Sequence, residues 1–380
     1  MESEVIFPLN LLRYWPHRWM ERVAIDGSRL EGGGQILRNA ASLAVVCQRP
    51  IEINNIRAGR SSPGLHNQHM LGLELAAEIC NGRLEGCFPN SMKVSFDPHS
   101  VEGGEYECDV KTAGSVALVM QICIPILAFA KKKSFVSLRG GTNADFAPPI
   151  DYMIDVTSFY YRKFGISFHT EICERGYYPR GGGLVHVSVD PISGKLSPVT
   201  LTDMGRVVKI TGSAFVTGKV PIKVAEQMAS AGHAILSAHF PGVPIDIEAS
   251  RAPDNSCHGS ASTFMFVAET STGCRIAVSR LGRRDGPSAY DLVADAINSD
   301  LIPCIDSGAC CDSFMQDQLI LPMVLAHGTS TVRTTPLTLH TQSAIYVAEQ
   351  LLPSVKFNVE TLPGQKSVLL SCTGVGAEPQ

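Results

Sequence analysis

A segment that changes from a helical pattern to a hairpin pattern recurs three times along this chain, and this recurrence limits the folds that the chain can adopt. In each segment, apolar residues spaced three and four apart predict a helix, and the alternation that follows predicts strands joined by glycine or proline turns. Such repetition predicts one supersecondary unit built three times. The three segments begin "LAAEICNGRLEG", "FYYRKFGISFHT" and "VAEQLLPSVKFNV".

The spacing of the three segments is unequal. Their hairpins begin near Arg83, Ile166 and Val355, so the first interval is about 83 residues and the second about 189. We therefore expect an insertion at residues 198–306, where the patterns predict β, α, β, β, β and α elements and a polar loop, "RAPDNSCHGSAS". Residues 21–197 and 307–373 would form the three-unit domain, and residues 1–20 an N-terminal extension. One long unit of unrelated fold, without an insertion, is the alternative.

Charge and cysteine content exclude several classes of protein. A formal net charge of -4 gives no general attraction to polyanions, so contact with nucleic acid would need a local cluster of arginines. The twelve cysteines include no pair at zinc-ribbon spacing. No apolar run reaches the roughly 20 residues that a membrane helix needs, and no secretory signal is recognisable. We therefore expect an intracellular protein without a membrane partner.

A glycine-rich loop is the first candidate site. In "RLEGGGQILRNAASLAVV", three glycines follow Glu31, and the apolar segment after them contains Arg38. Backbone N–H groups at Gly32 and Gly33, together with the start of a helix, would suit an anion such as phosphate. The spacing matches neither a Walker A sequence nor a dinucleotide-binding sequence. A plain strand-to-helix turn is equally compatible with these residues.

Further candidates lie in separate segments. Arg57 and Arg60, in "NIRAGRSSPGLHNQH", would hold a phosphoester bidentately, although solvated loop arginines are the alternative. The turn "RGGTNADFAPPIDY" is a rigid candidate for a pocket wall. "DSFMQDQLILPM" places an aromatic ring, a carboxylate and an amide at one helix start, where they would bind a base or simply cap the helix.

His340, in "TTPLTLHTQSAIYVAEQLLP", is predicted at the start of an amphipathic helix. The helix dipole there disfavours the imidazolium and leaves a ring nitrogen free to attack an electrophile. A histidine at a helix start is usually only structural, so its position alone does not decide between the two roles.

Taken in order, these motifs resemble those of the RNA 3'-terminal phosphate cyclase family over about residues 22 to 373. The resemblance rests on "EGGGQILR", "NIRAGRSSPGL", "GGT" followed by "APP", "YYPRGGG", "DQLILPMVLA" and the histidine at the last helix. It implies an α+β fold: three units, each with two helices and a four-stranded sheet, and a smaller α/β domain inserted before the third. It also implies a ligase-type enzyme that uses ATP to convert an RNA 3'-phosphate into a 2',3'-cyclic phosphate, releasing AMP and pyrophosphate.

The resemblance further assigns roles to residues. His340 would attack ATP to form a histidine adenylate, from which AMP passes to the RNA end, and Glu31 would hold Mg²⁺ or Mn²⁺. Pro148 and Phe314 would sandwich adenine, and a nuclear location, in the nucleoplasm, would be expected. The positions implied around the phosphates are Arg38, Arg57, Gln68 and Gln121, and those in the nucleotide-binding segment are Asp317 and Gln318.

Two other functions compete with this hypothesis. One branch of the same family lacks the nucleophilic histidine and acts in ribosome assembly without cyclase activity, and His340 together with Glu31 argues against that branch. Transferases of the enolpyruvyl type also use repeated units, but their chemistry needs no histidine adenylate. The RNA substrates and the oligomeric state are left open by the sequence.

Overall fold

The computed structural model describes residues 21–379, so the predicted extension at residues 1–20 lies outside the described residues. The described part contains four sheets and the helices that pack on them, which confirms the predicted α+β class. None of its helices is long and apolar enough to cross a membrane.

The first sheet has the order β1-β2-β4-β3, with β1 and β2 parallel and the other two pairs antiparallel. Helix α1 is apolar on almost every side and packs against two later helices as well as α2, so it is buried nearly throughout. The elements of this part of the chain are β1 (Val23–Asp26), α1 (Gly34–Val46), β2 (Ile51–Asn54), α2 (Asn67–Cys80), β3 (Arg83–Glu85) and β4 (Val94–Asp97).

The second sheet repeats this pairing pattern. Its first two strands are parallel, and the third and fourth are antiparallel to their neighbours. A π-helical turn, Met153–Thr157, joins its second and third helices. The elements are β5 (Glu105–Asp109), α3 (Val116–Ala128), β6 (Ser134–Gly140), α4 (Ile150–Tyr152), α5 (Ser158–Phe164), β7 (Ser167–Gly176) and β8 (Gly183–Asp190).

The region between the second and third hairpins contains a sheet of its own, ordered β11-β10-β13-β14, in which the expected β, α, β, β, β and α elements are all present. A π-helical turn, Ile297–Leu301, separates its last two helices. The elements are β9 (Thr200–Leu201), β10 (Val207–Val216), α6 (Ile222–His239), β11 (Ile245–Arg251), β12 (Cys257–His258), β13 (Ser262–Thr270), β14 (Arg275–Leu281), α7 (Ala289–Ala296) and α8 (Ile302–Asp306).

Part of the predicted polar loop between β11 and β13 was assigned wrongly. It contains the short strand β12, which pairs with Arg175 and Gly176 of β7 in the second sheet. The His258 imidazole also lies 2.7 Å from the Glu174 carboxylate of that strand. Two polar residues carry no alternation that would predict a strand, so this pairing depends on contacts distant in sequence.

The third sheet of the repeated type, β16-β17-β15-β9, closes the chain. Its elements are α9 (Ser313–Gln318), α10 (Ile320–Leu325), β15 (His327–Thr334), α11 (Leu339–Leu351), β16 (Phe357–Thr361) and β17 (Val368–Val375). Strand β9 pairs with β15 in parallel, although it falls within the predicted insertion. The limits of the units stay predictions, and we propose that the insertion begins after Leu201 rather than at residue 198.

Candidate active site

The loop between β1 and α1 folds the Glu31 carboxylate back over the start of α1. A Cβ atom at Gly33 would overlap the Glu31 carboxylate, so glycine there leaves room for this position of the side chain. Gly32 has a φ of 56°, in the left-handed region. The Glu31 side chain is only 14% exposed. Its Oε1 forms an ion pair with Arg60, whereas its Oε2 is buried without a hydrogen-bond partner among residues 21–379.

His340 is the second residue of α11 and faces this carboxylate. Thr338 caps the helix, because its hydroxyl accepts a hydrogen bond from the Thr341 N–H at 3.1 Å. The His340 Nδ1 lies 3.7 Å from Glu31 Oε2, and the side chain is 54% exposed. Burial lowers the pKa of His340 below its ordinary value, and this effect together with nearby Arg38 and Arg60 outweighs the opposite influence of Glu31. The imidazole is therefore neutral near pH 7.

The loop and the helix are joined by direct contacts. The Glu31 N–H donates a hydrogen bond to the Ser343 hydroxyl at 3.3 Å, and the Asp26 N–H donates one to the Tyr346 hydroxyl at 3.2 Å. Both acceptors belong to α11. These contacts fix the spacing between the loop and the start of the helix.

Three arginines surround the pair formed by Glu31 and His340. Arg60 donates to the Glu31 backbone oxygen at 2.7 Å as well as to its carboxylate. Arg57 is half-buried and donates to the Gly64 carbonyl at 3.2 Å. Arg38 projects from the buried helix α1, and its Nε has no hydrogen-bond partner in the described part of the chain. Burial lowers the pKa of both Arg38 and Arg57, since their guanidinium groups have too little opposite charge nearby.

The sequence analysis assigned no role to His69, which also belongs to this cluster. Its Nδ1 accepts a hydrogen bond from the His66 N–H at 3.2 Å, and a Cβ at Gly34 would come within 2.7 Å of its Nε2. Burial, with further contributions from Arg38 and Arg57, lowers the pKa of His69 to about 3. His69 thus adds a neutral imidazole to the surroundings of Arg38, Arg57 and Arg60, which we call the cationic pocket.

The two predicted glutamines are close to Arg38 on different sides. Gln68 lines a small cavity with Arg38 and His69. Gln121 lines a second small cavity with Arg38 and Gln318, and its side-chain oxygen is buried without a hydrogen-bond partner within residues 21–379. Both therefore lie close to Arg38, and their contact with a ligand stays a prediction.

A cleft of about 560 Å³ is lined by both His340 and Phe314. Pro149 lines this cleft, whereas Pro148, the residue expected from the sequence, is buried and is not among the lining residues. The Phe314 ring packs edge-on against Tyr152, with centroids 5.7 Å apart. This volume falls in the range of roughly 300–1,000 Å³ that is typical of small-ligand sites.

Asp317 and Gln318 are buried residues of α9, the helix that also carries Phe314. Gln318 donates to the Phe314 carbonyl at 2.6 Å and accepts a hydrogen bond from the Thr157 hydroxyl at 3.1 Å. Burial raises the pKa of Asp317 to about 7, although the nearby guanidinium of Arg38 opposes this shift. Neither residue is among those that line the cleft.

Gln316 was also missed by the sequence analysis. Its side chain is buried between α9 and α11, and its Oε1 accepts hydrogen bonds from the Thr338 N–H at 2.8 Å and from the Thr341 hydroxyl at 2.6 Å. Its Nε2 donates to the Thr334 hydroxyl at 2.7 Å and to the Thr335 carbonyl at 3.1 Å. Gln316 therefore holds the turn that carries His340.

Residues 21–379 contain no group of three or more acidic, histidine or cysteine side chains arranged for a metal ion. The buried, unpartnered Oε2 of Glu31 nevertheless suits one bond to a hard divalent cation. Mg²⁺ is typically held by one or two carboxylates together with substrate phosphates and water. The residues present therefore fit an ion that arrives with a polyphosphate.

Residues 29–359 match the family model described as "RNA 3'-terminal phosphate cyclase". The chain is 37% identical to the RNA 3'-terminal phosphate cyclase of Drosophila melanogaster, over 93% of this chain and 96% of that protein. It is 36% identical to a protein of the same name from Staphylothermus marinus, over 95% of this chain and 100% of the other. An EPSP synthase from Acinetobacter baumannii shares 11% identity, with a TM-score of 0.26, and covers 89% of this chain and 62% of its own, a likeness too slight to bear on fold or function.

Proposed function

The chain belongs to the RNA 3'-terminal phosphate cyclase family, and on this premise we propose that it converts the 3'-phosphate of an RNA into a 2',3'-cyclic phosphodiester at the expense of ATP. It would thus be a ligase-type enzyme. The observation that carries the proposal is the neutral His340 imidazole, 3.7 Å from the Glu31 carboxylate and beside arginines that lack sufficient opposite charge.

The first step follows from the two nitrogens of His340. Nδ1 faces the Glu31 carboxylate, which favours the tautomer with its proton on Nδ1 and leaves the lone pair on Nε2. Nε2 attacks the α-phosphorus of ATP, the bond from that phosphorus to the bridging oxygen breaks, and pyrophosphate leaves. The resulting positive charge on the ring is offset by the negatively charged phosphoryl group that it now carries.

The β- and γ-phosphates of ATP would bind beside His340 in the cationic pocket. Arg38, Arg57 and Arg60 would hold the β- and γ-phosphates, with Gln68 and Gln121 as further contacts, and the loop at Gly32 and Gly33 would approach them closely. Mg²⁺ or Mn²⁺ on Glu31 Oε2 would offset the negative charge of the triphosphate. The RNA 3'-phosphate would occupy the same pocket after pyrophosphate leaves.

Two further transfers complete the reaction. An oxygen of the RNA 3'-phosphate attacks the adenylate phosphorus, and the electron pair of the broken phosphorus–nitrogen bond returns to His340. The neighbouring 2'-hydroxyl then attacks the activated 3'-phosphorus, with release of AMP and a proton. This ring closure is fast because the hydroxyl is already adjacent to the phosphorus.

The adenosine part of ATP would lie in the cleft beside Phe314. Phe314 would stack on adenine, and Pro149, which lines the cleft, is a better second wall than the predicted Pro148. Asp317 and Gln318 would act behind this surface, where Gln318 fixes the backbone of Phe314.

Covalent labelling tests this proposal. The protein is incubated with ATP labelled at the α-phosphate and a divalent metal, denatured, and assayed for bound label that is labile in acid and stable in alkali, as a phosphorus–nitrogen bond is. We expect His340→Asn to retain no label and the control His327→Asn to retain the parental amount. Label retained by His340→Asn would contradict the assignment of the nucleophile.

The same assay separates the competing functions. A parent protein that takes up no AMP in the presence of metal would favour the ribosome-assembly function, which needs no nucleophile. The expected nuclear location also remains a proposal, since relatives occur in archaea, which have no nucleus. Fluorescence microscopy of the tagged chain would test it.

A further inference from the structure

Phe146 is exposed to an unusual degree for an aromatic residue. Its side chain is 96% exposed, and its backbone adopts a φ of 60°, in the left-handed region that bulky residues rarely occupy. Without a ligand the ring contributes no burial to stability, and the backbone is strained. Because an exposed ring and a strained backbone occur together at Phe146, we expect this residue to have a function that compensates for them.

The loop that carries Phe146 is firmly attached at its base. Thr142 and Asn143 are buried, and the Thr142 N–H donates a hydrogen bond to the Gly176 carbonyl at 2.9 Å. The Ile150 N–H donates to the Thr142 carbonyl at 2.8 Å, which closes the loop. The exposed ring is therefore presented by an anchored loop.

Phe146 lines the same 560 Å³ cleft as Phe314 and His340. Its neighbour Asp145 forms an ion pair of 2.9 Å with Arg283, which follows β14 and also lines the cleft. This ion pair joins the loop to the region of the predicted insertion. The Phe146 ring thus borders a cleft that is lined both by this loop and by the region of the predicted insertion.

The occupant of this cleft follows from the arrangement around His340. The phosphate-binding candidates Arg57, Arg60 and Glu31 are not among the residues that line it. A nucleotide whose α-phosphorus reaches His340, with its other phosphates in the cationic pocket, must place its nucleoside in the cleft. The incoming RNA phosphate needs the pocket that pyrophosphate leaves, so the RNA approaches from the other side.

We propose that Phe146 is a second aromatic contact for the base of ATP: together with Pro149 of the same loop it would cover the face of the base opposite Phe314 and so close the cleft. This inference rests on the proposed function, because it requires ATP in the cleft. Burial of the ring against the base would recover the apolar contact that the ligand-free protein lacks. Since stacking favours the larger rings, Phe146 would also increase the preference for purine over pyrimidine nucleotides.

Replacement of Phe146 by asparagine tests this proposal. Asparagine tolerates a left-handed φ better than phenylalanine does, so Phe146→Asn removes the ring and relieves backbone strain. We expect calorimetry to show ATP binding weakened roughly 5- to 150-fold, the range for loss of one aromatic platform. The ratio of ATP to UTP affinity should fall as well. Phe146→Trp should bind ATP at least as tightly as the parent.

Two further measurements make the outcome decisive. Phe88→Ala removes another exposed ring, outside this cleft, and should leave ATP affinity unchanged. The KM for RNA should also be unchanged in Phe146→Asn. Parental ATP affinity in Phe146→Asn, or a rise confined to the RNA KM, would overturn the inference and leave the proposed function intact. A parent protein that binds no ATP would overturn both.

Discussion

The hydrogen bonds of Gln316 predict that one buried amide determines where His340 lies. Gln316 is 1% exposed and connects the end of β15 to the first turn of α11. Gln316→Met keeps a side chain of similar length but removes every hydrogen bond. We expect this variant to be less stable and to transfer AMP to His340 more slowly.

The magnitude follows from the partners that are left without a hydrogen bond. The Thr341 and Thr334 hydroxyls keep other neighbours, namely the Thr338 hydroxyl at 2.9 Å and the Cys311 sulfur at 3.7 Å. The Thr338 N–H and the Thr335 carbonyl lose the contacts described above. An unsatisfied buried polar group costs about 1–3 kcal/mol, and both residues are half-buried, so we expect a loss of about 2–4 kcal/mol.

Thermal unfolding and single-turnover adenylation measure the two effects. We expect Tm to fall on the order of 5 °C and the rate of adenylation to fall roughly 10- to 100-fold, with a smaller change in ATP affinity, because a misplaced nucleophile affects the reacting geometry first. Gln342→Met is the matched control, since Gln342 lies in the same helix and its side chain donates one hydrogen bond, to the Leu337 carbonyl at 3.0 Å. Parental Tm and adenylation rate in Gln316→Met would refute the argument.

Substitutions at three further positions test other parts of the site. Arg57→Lys should lower kcat/KM for a 3'-phosphate RNA at least about 10-fold despite the retained charge, because an ammonium cannot form the bidentate contact; an unchanged value would remove Arg57 from the site. Phe314→Ala should weaken ATP binding by about 1–3 kcal/mol in calorimetry, and Phe314→Tyr should be nearly neutral. Arg60→Gln removes a cation that lowers the pKa of His340 and releases Glu31, so the acid limb of the adenylation rate against pH should move to higher pH, since the reaction needs the neutral ring. A limb at unchanged or lower pH would contradict this prediction.

The sequence predicted those parts of the fold that local patterns encode. Each helix-to-hairpin segment lies where periodicity placed it, as α2 with β3 and β4 show, because its helix and strands show their own periods. Strand β12 has only two polar residues and exists because β7 offers an edge with which it can pair. No local pattern carries that information.

The same distinction applies to the site. His340 and Glu31 belong to recognisable motifs at a helix start and a glycine turn, so the sequence indicated both as candidate site residues. Gln316 and His69 were missed because their importance comes from partners in other elements or from burial. Pro148 and Pro149 are adjacent, and the sequence cannot decide which of the two faces a cleft. The local sequence "QDQ" around Gln316 does not distinguish it from Gln318.

The electrostatics of the ligand-free site explain why one pocket can serve two phosphate transfers in succession. Within residues 21–379, the buried Nε of Arg38 and one carboxylate oxygen of Glu31 have no hydrogen-bond partner, so opposite charges lie close together without neutralising each other fully. Burial lowers the pKa of both His69 and His340, and the neighbouring arginines lower it further, so neither imidazole adds positive charge to the pocket. An arriving phosphate satisfies these groups, whether it belongs to ATP or to the RNA end, because the arginines recognise oxygens and charge rather than the rest of the molecule. Discrimination between the two substrates must then come from what surrounds the pocket, which on the ATP side is the cleft that Phe146 and Phe314 share.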